Sequence, residues 1–492
     1  MAQAENPDPD LVERAINERL DEHIENVLKL IRQPSIAAEN RGIEECAKLV
    51  RNLFKWVGCT TTEIFRTPGM PVVYGHLDCG AKTTILVYLM YDVKQVEGQR
   101  WTLVKDPFEP KVVEMPPFKR VIAGRGAVNS KGPMMAFLNA VRTVMDIDGK
   151  LPVNLKFVAE GEEEISSPHL YGFIVEHEEL FRNARAVIMP LASQNIKGEV
   201  SLHLGCKGVY ELELECSGES WGRGPTKDEI HSSYAPLVES PVWRLVNALA
   251  TMKADPIDPE LVTVKGFYDD IRAPGQNDRA LLETLAKRVD FDSIKSSLGV
   301  KRFYNDLSGT KALERLLYTP TLNIQGIKAG YTGPSFMTIL PSRAKVKLEV
   351  RLVPEMSAER VNRVLTEHLR SRGFGDIRVI ATDDDFGRAV GEKWAITDPA
   401  SPCIQAAVTS YKELGYDPEV WPRMAGTAPL HAFTNPPLGL PLVIFGLGHG
   451  ARAHAPDEYY VVEGSGLVKG LAGAEYSYVR LLMNLARAYE NS

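Results

Sequence analysis

Three consecutive glutamates, Glu162, Glu163 and Glu164, follow an apolar run and a glycine, Gly161. The apolar run predicts a strand that enters the core, and the glycine predicts a turn of the backbone at its end. Carboxylates clustered at the end of a buried strand repel one another and lose solvation, so they need a cation, a shared proton or open water. A bare glutamate triplet is usually a solvated loop. The other polar motifs must therefore decide whether these carboxylates do chemistry.

Further polar motifs follow predicted strands or lie in loops. Tyr91-Asp92-Val93 closes one buried strand, residues 124–132 have the sequence GRGAVNSKG, and residues 454–458 have the sequence HAPDE. A second region adds the EIHS motif with His231 and the RLVP motif with Arg351. Because ligands in α/β sheets collect beyond the carboxyl ends of the strands, we expect the strand-end motifs to surround one pocket.

The elements that position these motifs alternate between helix and strand in the first 206 residues. The predicted helices cover residues 9–33, 42–57, 132–146 and 171–178, and the predicted buried strands cover residues 83–91, 154–159 and 186–189. This alternation predicts an α/β layer with a mostly parallel sheet and flanking helices.

The pattern changes near Cys206. Residues 208–216 and 343–354 alternate strictly between apolar and polar side chains, which indicates a sheet with one wet face. Together with helices over 241–252 and 357–372 and a strand over 376–381, they predict a small α+β domain of the split βαβ type. Residues 254–325 are polar, with helical pieces such as 279–289, and we could not place them in this pattern.

The first pattern returns after Pro399, with a helix over 403–414, a short buried strand over 441–446 and a helical region over 464–490. The simplest interpretation is one α/β domain made of residues 1–206 and 394–492. Residues 207–393 are then a smaller domain inserted into it.

Composition excludes several classes of function. The chain has 492 residues, 44% hydrophobic and 25% charged, as in ordinary globular proteins. Its net charge of −7 argues against nucleic acid or an anionic membrane as the main partner. No apolar run approaches the roughly 20 residues of a spanning helix, and the polar N-terminus lacks the regions of a signal peptide. The six cysteines are scattered without a CxxC pair, so we predict a cytoplasmic protein with a small-molecule substrate.

At the motifs GRGxxxxKG, EGxEE, xIHS, RLVP and AHAPDE the chain resembles the M20 metallopeptidase family, which includes carboxypeptidase-like, carnosinase-like and deacylase members. Each motif alone is weak, but their order and spacing are collectively specific and cover nearly the whole chain. The resemblance implies a zinc-exopeptidase-like α/β domain with an inserted ferredoxin-like lid. It also implies a homodimer formed through that lid.

The resemblance further implies two zinc ions, with Glu164 and His454 among their ligands. Three other ligand positions differ, because Met90, Asn129 and Pro190 stand where the family has a histidine and two aspartates. A thioether is a poor ligand in an oxygen-rich site, and proline offers only its carbonyl. We therefore expect the two-metal site to be absent. Either no metal or one divalent zinc or manganese ion is expected, held weakly by Glu164, His454 and the Asn129 amide.

The remaining site residues are also assigned through the resemblance. Glu163 is the predicted general base, and Asp92 and His231 are the other catalytic candidates, the lid histidine often being supplied by a dimer partner. The predicted substrate-binding residues, several of which match the family's grip on a substrate carboxylate, are Arg351, Thr427, Gly426, Asn129 and Lys131. Arg351 could equally pair with Glu349 on its own strand.

Three functions remain open at this point. The first, which we favour, is hydrolysis of an amide or peptide bond in a small carboxylate-bearing substrate, of the amino-acid or acyl-amino-acid type, with at most one metal. The second is a metal-independent proton-transfer enzyme, such as an isomerase, racemase or lyase. The third is a catalytically silent homologue that only binds. We favour an enzyme because the predicted base and the carboxylate grip are retained together.

Overall fold

The larger body of the protein is built on a mixed six-stranded sheet. The computed structural model describes residues 8–255, 257–258, 260–381 and 391–490. The strands of this main sheet lie in the order Thr61–Phe65, Val72–Leu77, Asn154–Glu160, Thr84–Met90, Ala184–Pro190 and Leu442–Phe445. The last four are parallel to one another, and the first two pair antiparallel. The predicted α/β fold with a mostly parallel sheet is confirmed.

Alternate side chains of the strand Thr84–Met90 lie in two different hydrophobic cores, because successive side chains of a strand point to opposite faces of the sheet. Ile85, Val87 and Leu89 join the larger core, whereas Leu86, Tyr88 and Met90 join a core on the opposite face. The larger core is covered by the helices Pro9–Glu18, Leu20–Arg32, Ile43–Trp56, Lys131–Asp148, Pro402–Glu413 and Leu471–Glu490. The opposite core is covered by Leu170–Glu176, Glu178–Phe181 and His431–Thr434.

Short strands extend this body. A four-stranded sheet contains Gly450–Ala451, Tyr459–Glu463, Phe118–Ala123 and Lys111–Met115. Two smaller pairs are Ser201–His203 with Glu419–Trp421, and Gly205–Cys206 with Ala395–Ile396. The first of these pairs is parallel and the second antiparallel, and both join segments that are distant in sequence.

A second sheet, called here the lid sheet, is antiparallel. Its strands lie in the order Thr321–Ala329, Arg343–Leu352, Gly208–Ser217 and Arg378–Ala381, and Gly391–Glu392 also pairs with Gly208–Ser217. The helices Pro241–Ala250 and Ala358–Ser371 pack on one of its faces, where they bury Leu245, Ala248, Val361 and Leu365. The strand Thr321–Ala329 was not predicted, because most of its residues are exposed and it therefore lacks an apolar pattern.

The segment that sequence patterns could not place contains three helices, Gln276–Ala286, Phe291–Ser297 and Gly309–Tyr318. The remaining short elements are Ala37–Glu39, Glu163–Ile165, Gly218–Trp221, Ser232–Tyr234, Tyr304–Asp306 and the strand pair Ile230–His231 with Ile339–Leu340. The boundaries proposed at 206/207 and 393/394 stay a prediction. None of the helices in the described ranges combines the length and hydrophobicity that a membrane span requires.

Candidate active site

The main sheet brings the strand-end motifs to one edge. The strands Thr84–Met90 and Asn154–Glu160 run parallel, with Met90 opposite Glu160. The residues that follow these two strands, including Asp92 and Glu163, therefore leave the sheet side by side. This is the arrangement that the sequence motifs predicted.

Asp92 organises the start of the glutamate segment. Its buried carboxylate accepts the backbone N–H of Glu163 at 3.2 Å and that of Glu164 at 2.9 Å. Burial raises the pKa of Asp92 to about 7, with the Glu164 carboxylate adding to the rise and the backbone N–H donors opposing it. Asp92 therefore fixes the backbone of the short helix Glu163–Ile165.

The three glutamates have different surroundings. The buried Glu162 carboxylate accepts the Met70 N–H at 2.9 Å and lies 2.9 Å from Nδ1 of His169. Glu164 is buried as well, whereas Glu163 is partly exposed. Of the three carboxylates, that of Glu163 thus has the best access to a substrate.

Glu164 lies at the centre of a compact polar cluster. Its Oε1 accepts Asn129 Nδ2 at 2.6 Å, its Oε2 lies 3.1 Å from His454 Nε2, and Lys94 Nζ lies 3.3 Å from the same Oε2. Asn129 Nδ2 is also 2.9 Å from His454 Nε2. The structure therefore brings together Glu164, His454 and Asn129, the three residues named as metal-ligand candidates.

A carboxylate that the sequence analysis did not assign holds the loop of Asn129. Buried Glu458 accepts the backbone N–H groups of Gly126, Val128 and Asn129 at 2.9 to 3.0 Å, and it pairs with Arg125 at 2.8 Å. Its position in the HAPDE motif was the available signal. That motif was interpreted only through its histidine, so this role was missed.

Lys131 lies near the carboxylates of Asp92 and Glu458. Its side chain is buried and donates to the backbone carbonyl of Gln33, and burial lowers the pKa of its ammonium group. Its observed contact is a link between two backbone segments. A direct role of Lys131 in substrate binding stays a prediction that this geometry does not favour.

Arg351 pairs with Glu349, which was the alternative named for it, and it also contacts Thr427. Its Nε and Nη2 donate to Glu349 at 3.0 Å, and its Nη1 donates to the Thr427 hydroxyl at 2.8 Å. Thr427 is partly exposed, and Gly426 beside it is exposed. The lid strand and the loop 424–427 therefore meet at a pair of donors suited to a carboxylate.

His231 is exposed on the short strand Ile230–His231. Its Nδ1 lies 2.8 Å from the Ser233 hydroxyl and its Nε2 lies 3.1 Å from the Thr338 hydroxyl. Both partners belong to the lid region, so these contacts do not place His231 against the glutamates of its own chain.

Carboxylate and imidazole are the side chains that zinc prefers, and Glu164 and His454 are close enough to share one ion. His454 is 52% exposed at its side chain, so it is accessible from solvent. Within the described ranges, no group of three or more His, Cys, Asp or Glu residues is arranged to hold a metal. Met90 packs in the apolar core on one sheet face, and Pro190 is buried at the end of its strand.

Comparisons with known proteins test the family and the fold. The sequence matches the Peptidase family M20/M25/M40 over residues 91–472. The structure is similar to that of an M20 family metallo-carboxypeptidase from Sulfolobus solfataricus, with 31% identity and a TM-score of 0.80, covering 96% of this chain and 100% of that chain.

Two curated relatives extend the comparison. The human Beta-Ala-His dipeptidase is 24% identical over 396 residues, which are 75% of this chain and 73% of the relative. A Cys-Gly metallodipeptidase of Candida albicans is 22% identical over 468 residues, 90% of this chain and 91% of the relative. The predicted family and the predicted hydrolase class are confirmed.

The prediction for the metal is wrong. We expected no metal or one zinc or manganese ion and an absent two-metal site, yet two of these relatives are named metallopeptidases. A Bacillus subtilis protein of the same fold is named a dinuclear metal-binding peptidase, with 13% identity and a TM-score of 0.52, covering 96% of this chain and 99% of that chain. Amide oxygens, carbonyls and water also coordinate metal ions, so the side chains at Met90, Asn129 and Pro190 do not by themselves show that a metal site is absent.

The same comparisons bear on the reaction. Each named relative is a peptidase by name, which supports peptide hydrolysis. They give no support to a metal-independent proton-transfer enzyme or to a catalytically silent binding protein.

Proposed function

Because the chain belongs to peptidase family M20/M25/M40 and is therefore a hydrolase, we propose that it cleaves the peptide bond of a dipeptide or similarly small substrate with a free carboxylate. The observation that carries this proposal is the contact of Arg351 Nη1 with the Thr427 hydroxyl at 2.8 Å. A guanidinium and a hydroxyl held together at a partly open surface form a charge-assisted site for a carboxylate. Two relatives are named dipeptidases, which agrees with a substrate of this size.

Glu163 acts as the general base in this proposal. Its backbone is fixed by Asp92, and its side chain is partly exposed while the neighbouring glutamates are buried. A base on a fixed backbone can take a proton from an attacking water at a defined position, which contributes about 10²–10⁴-fold to rates in general. The neighbouring Glu162 carboxylate accepts the Met70 N–H instead.

Glu164 and His454 are the residues that would hold a metal ion, with Asn129 beside them. When bound, a divalent metal in such a site polarises a carbonyl and activates water at neutral pH. Asn129 and Lys94 hold the Glu164 carboxylate in one orientation, and Glu458 fixes the loop that presents Asn129.

We also propose a homodimer formed through the lid. The strand Thr321–Ala329 lies at the edge of the lid sheet, and it exposes Ile324 and Ile327. The lid helix Pro241–Ala250 exposes Trp243 at 68%. An open strand edge with apolar side chains invites pairing with a second chain. The partner's lid would then bring the partner's His231 to the site. The contacts within one chain hold His231 against lid residues and not against the glutamates.

The substrate proposal is tested with purified protein and dipeptides in two forms, one with a free carboxylate and one amidated. We expect efficient cleavage of the free acids and at least about 100-fold lower kcat/KM for the amides, since the site loses its charged partner. Equal cleavage of both forms would remove the carboxylate from substrate recognition.

The dimer proposal is tested by light scattering of the wild type and of Trp243→Glu. A monomeric variant beside a dimeric wild type is expected, and Leu467→Glu, which changes an exposed leucine of the larger body, serves as the matched control. Mixing the inactive variants His231→Ala and Glu163→Gln should restore part of the activity, because each mixed dimer holds one intact composite site. A monomeric wild type, or no restoration, would reject a shared site.

A further inference from the structure

Two buried basic residues lie beside the loop 424–427. Lys207 is 3% exposed and Arg423 is 1% exposed. Burial of a cation is costly unless polar groups surround it. Neither residue forms an ion pair with a carboxylate in the described part of the chain. The Asp278 carboxylate attracts the Arg423 charge from a longer distance, and polar groups in contact must also stabilise both charges.

Those groups belong to the end of one helix. Lys207 Nζ donates to the Thr319 carbonyl at 2.7 Å, and Arg423 Nη1 donates to the Leu317 carbonyl at 3.3 Å. The Arg423 guanidinium also lies 4.1 Å from the centre of the Tyr318 ring. The last carbonyls of a helix have no partner within it and carry the negative end of its dipole. The two cations thus cap the helix Gly309–Tyr318.

The same two residues hold the loop of Thr427. The Lys207 N–H donates to the carbonyls of Met424 at 3.3 Å and Gly426 at 3.1 Å. Arg423 directly precedes the loop, and Ala425 packs against the apolar cluster of this helix, which contains Leu313 and Leu317. The loop is therefore attached to the helix end on two sides.

The strand of Arg351 is attached to the same helix end. The helix Gly309–Tyr318 leads into the edge strand of the lid sheet, in which Thr321 pairs with Arg351. The helix end is accordingly connected both to the loop that carries Thr427, through Lys207 and Arg423, and to the strand that carries Arg351, through Thr321. Movement of this helix end would change the distance between these two residues.

We propose that Lys207 and Arg423 are positioning residues for the substrate carboxylate. By capping the helix Gly309–Tyr318, they hold the loop 424–427 against the lid strand, so that the Thr427 hydroxyl and the Arg351 guanidinium keep one geometry. The helix Gly309–Tyr318, which belongs to the insertion 254–325 within the predicted lid domain, thereby acquires a role in substrate affinity. This inference rests on the proposed recognition of a free carboxylate.

The test changes Tyr318, whose ring lies under Arg423 and which is not one of the proposed carboxylate-binding residues, Arg351 and Thr427. Tyr318→Leu should raise KM for a free-acid dipeptide about 5- to 10-fold with little change in kcat, as expected when binding common to ground and transition states is lost. Tyr318→Phe keeps the ring and should restore the wild-type KM. Tyr489→Leu is the matched control, because Tyr489 is also buried and also lies under an arginine, Arg185, but away from the loop.

The amidated dipeptide separates positioning from a general loss of structure. Because the amidated dipeptide has no carboxylate to bind to Arg351 and Thr427, Tyr318→Leu should leave kcat/KM for the amidated dipeptide unchanged. An equal loss for acid and amide, or no loss for either, would overturn the proposal.

Hydrogen exchange gives a second readout that needs no substrate. The amides of residues 422–428 should exchange faster in Tyr318→Leu than in the wild type, Tyr318→Phe or Tyr489→Leu. If the wild type cleaves no dipeptide, the proposed function fails, and this exchange still decides the positioning role. Unchanged exchange in Tyr318→Leu would reject that role.

Discussion

The Glu458 carboxylate and the Arg125 guanidinium form a buried ion pair at 2.8 Å, which anchors the loop that presents Asn129. Glu458→Gln would leave the Arg125 charge buried without its counter-charge. We expect a loss of about 3 kcal/mol or more in the free energy of unfolding, measured by denaturant titration. Glu463→Gln, which removes a carboxylate 3.7 Å from the exposed Lys119, should cost less than about 1 kcal/mol. Similar small losses in both variants would contradict an anchoring role.

Glu163→Gln should lower kcat by at least about 100-fold, because the amide cannot accept the proton of the attacking water. Dipeptide binding, measured by calorimetry, should change little. Glu162→Gln is the neighbouring control and should retain most of the turnover, since Glu162 bonds to Met70 and His169. A fully active Glu163→Gln would exclude Glu163 as the base.

Arg351→Met should raise KM for free-acid dipeptides by about 10- to 100-fold, which corresponds to the loss of one charged hydrogen bond. The amidated dipeptides should be affected much less. Arg378→Met removes another arginine of the lid sheet, paired with Glu215 at 3.2 Å, and should leave KM unchanged. A similar rise in KM for both substrates would assign Arg351 to the lid structure alone.

Exhaustive chelation should abolish peptidase activity, and added zinc or manganese should restore it, because two of the relatives are named metallopeptidases. His454→Ala should retain less metal after dialysis than the wild type, measured by elemental analysis. The Lys94→Met variant tests whether the nearby ammonium group competes with the metal for Glu164. If the two compete, the metal content of Lys94→Met should not fall below that of the wild type. Full activity after chelation would reject metal dependence.

The stability of the protein should fall in mild acid because of His431. Burial, with a smaller effect of Lys393, lowers the pKa of this histidine to about 4, and its Nδ1 has no hydrogen-bond partner. In the unfolded chain its pKa is about 6.5, so the folded state binds the proton less tightly. Its contribution to stability is therefore present above pH about 6.5 and is lost as the pH falls towards 4, by about 3 kcal/mol in total.

Unfolding measured across this pH range checks the assignment. His431→Phe should flatten the loss of stability between pH 6.5 and 4 relative to the wild type. Identical slopes in the two proteins would show that other groups cause the acid sensitivity.

The sequence alone determined the elements whose side chains are buried in a regular pattern. The strand Thr84–Met90 and the helix Lys131–Asp148 were predicted within two residues at each end, because burial on both faces leaves a continuous apolar run. The edge strand Thr321–Ala329 leaves no such pattern, since solvent covers most of its side chains. The glutamate triplet was correctly interpreted as part of a family motif, but its spacing could not show that the three side chains differ.

Only the tertiary structure showed which partner each glutamate binds and which glutamate is partly exposed. Met70 and Asn129 are distant in sequence from the glutamates, yet they bond to the buried Glu162 and Glu164, whereas Glu163 is partly exposed. The end of Gly309–Tyr318 reaches Lys207 and Arg423 in the same way. Such contacts depend on how separate sheets and loops pack, and no local spacing encodes them. Residue types along the chain therefore indicated the class of chemistry, while packing determines which of the three carboxylates is partly exposed.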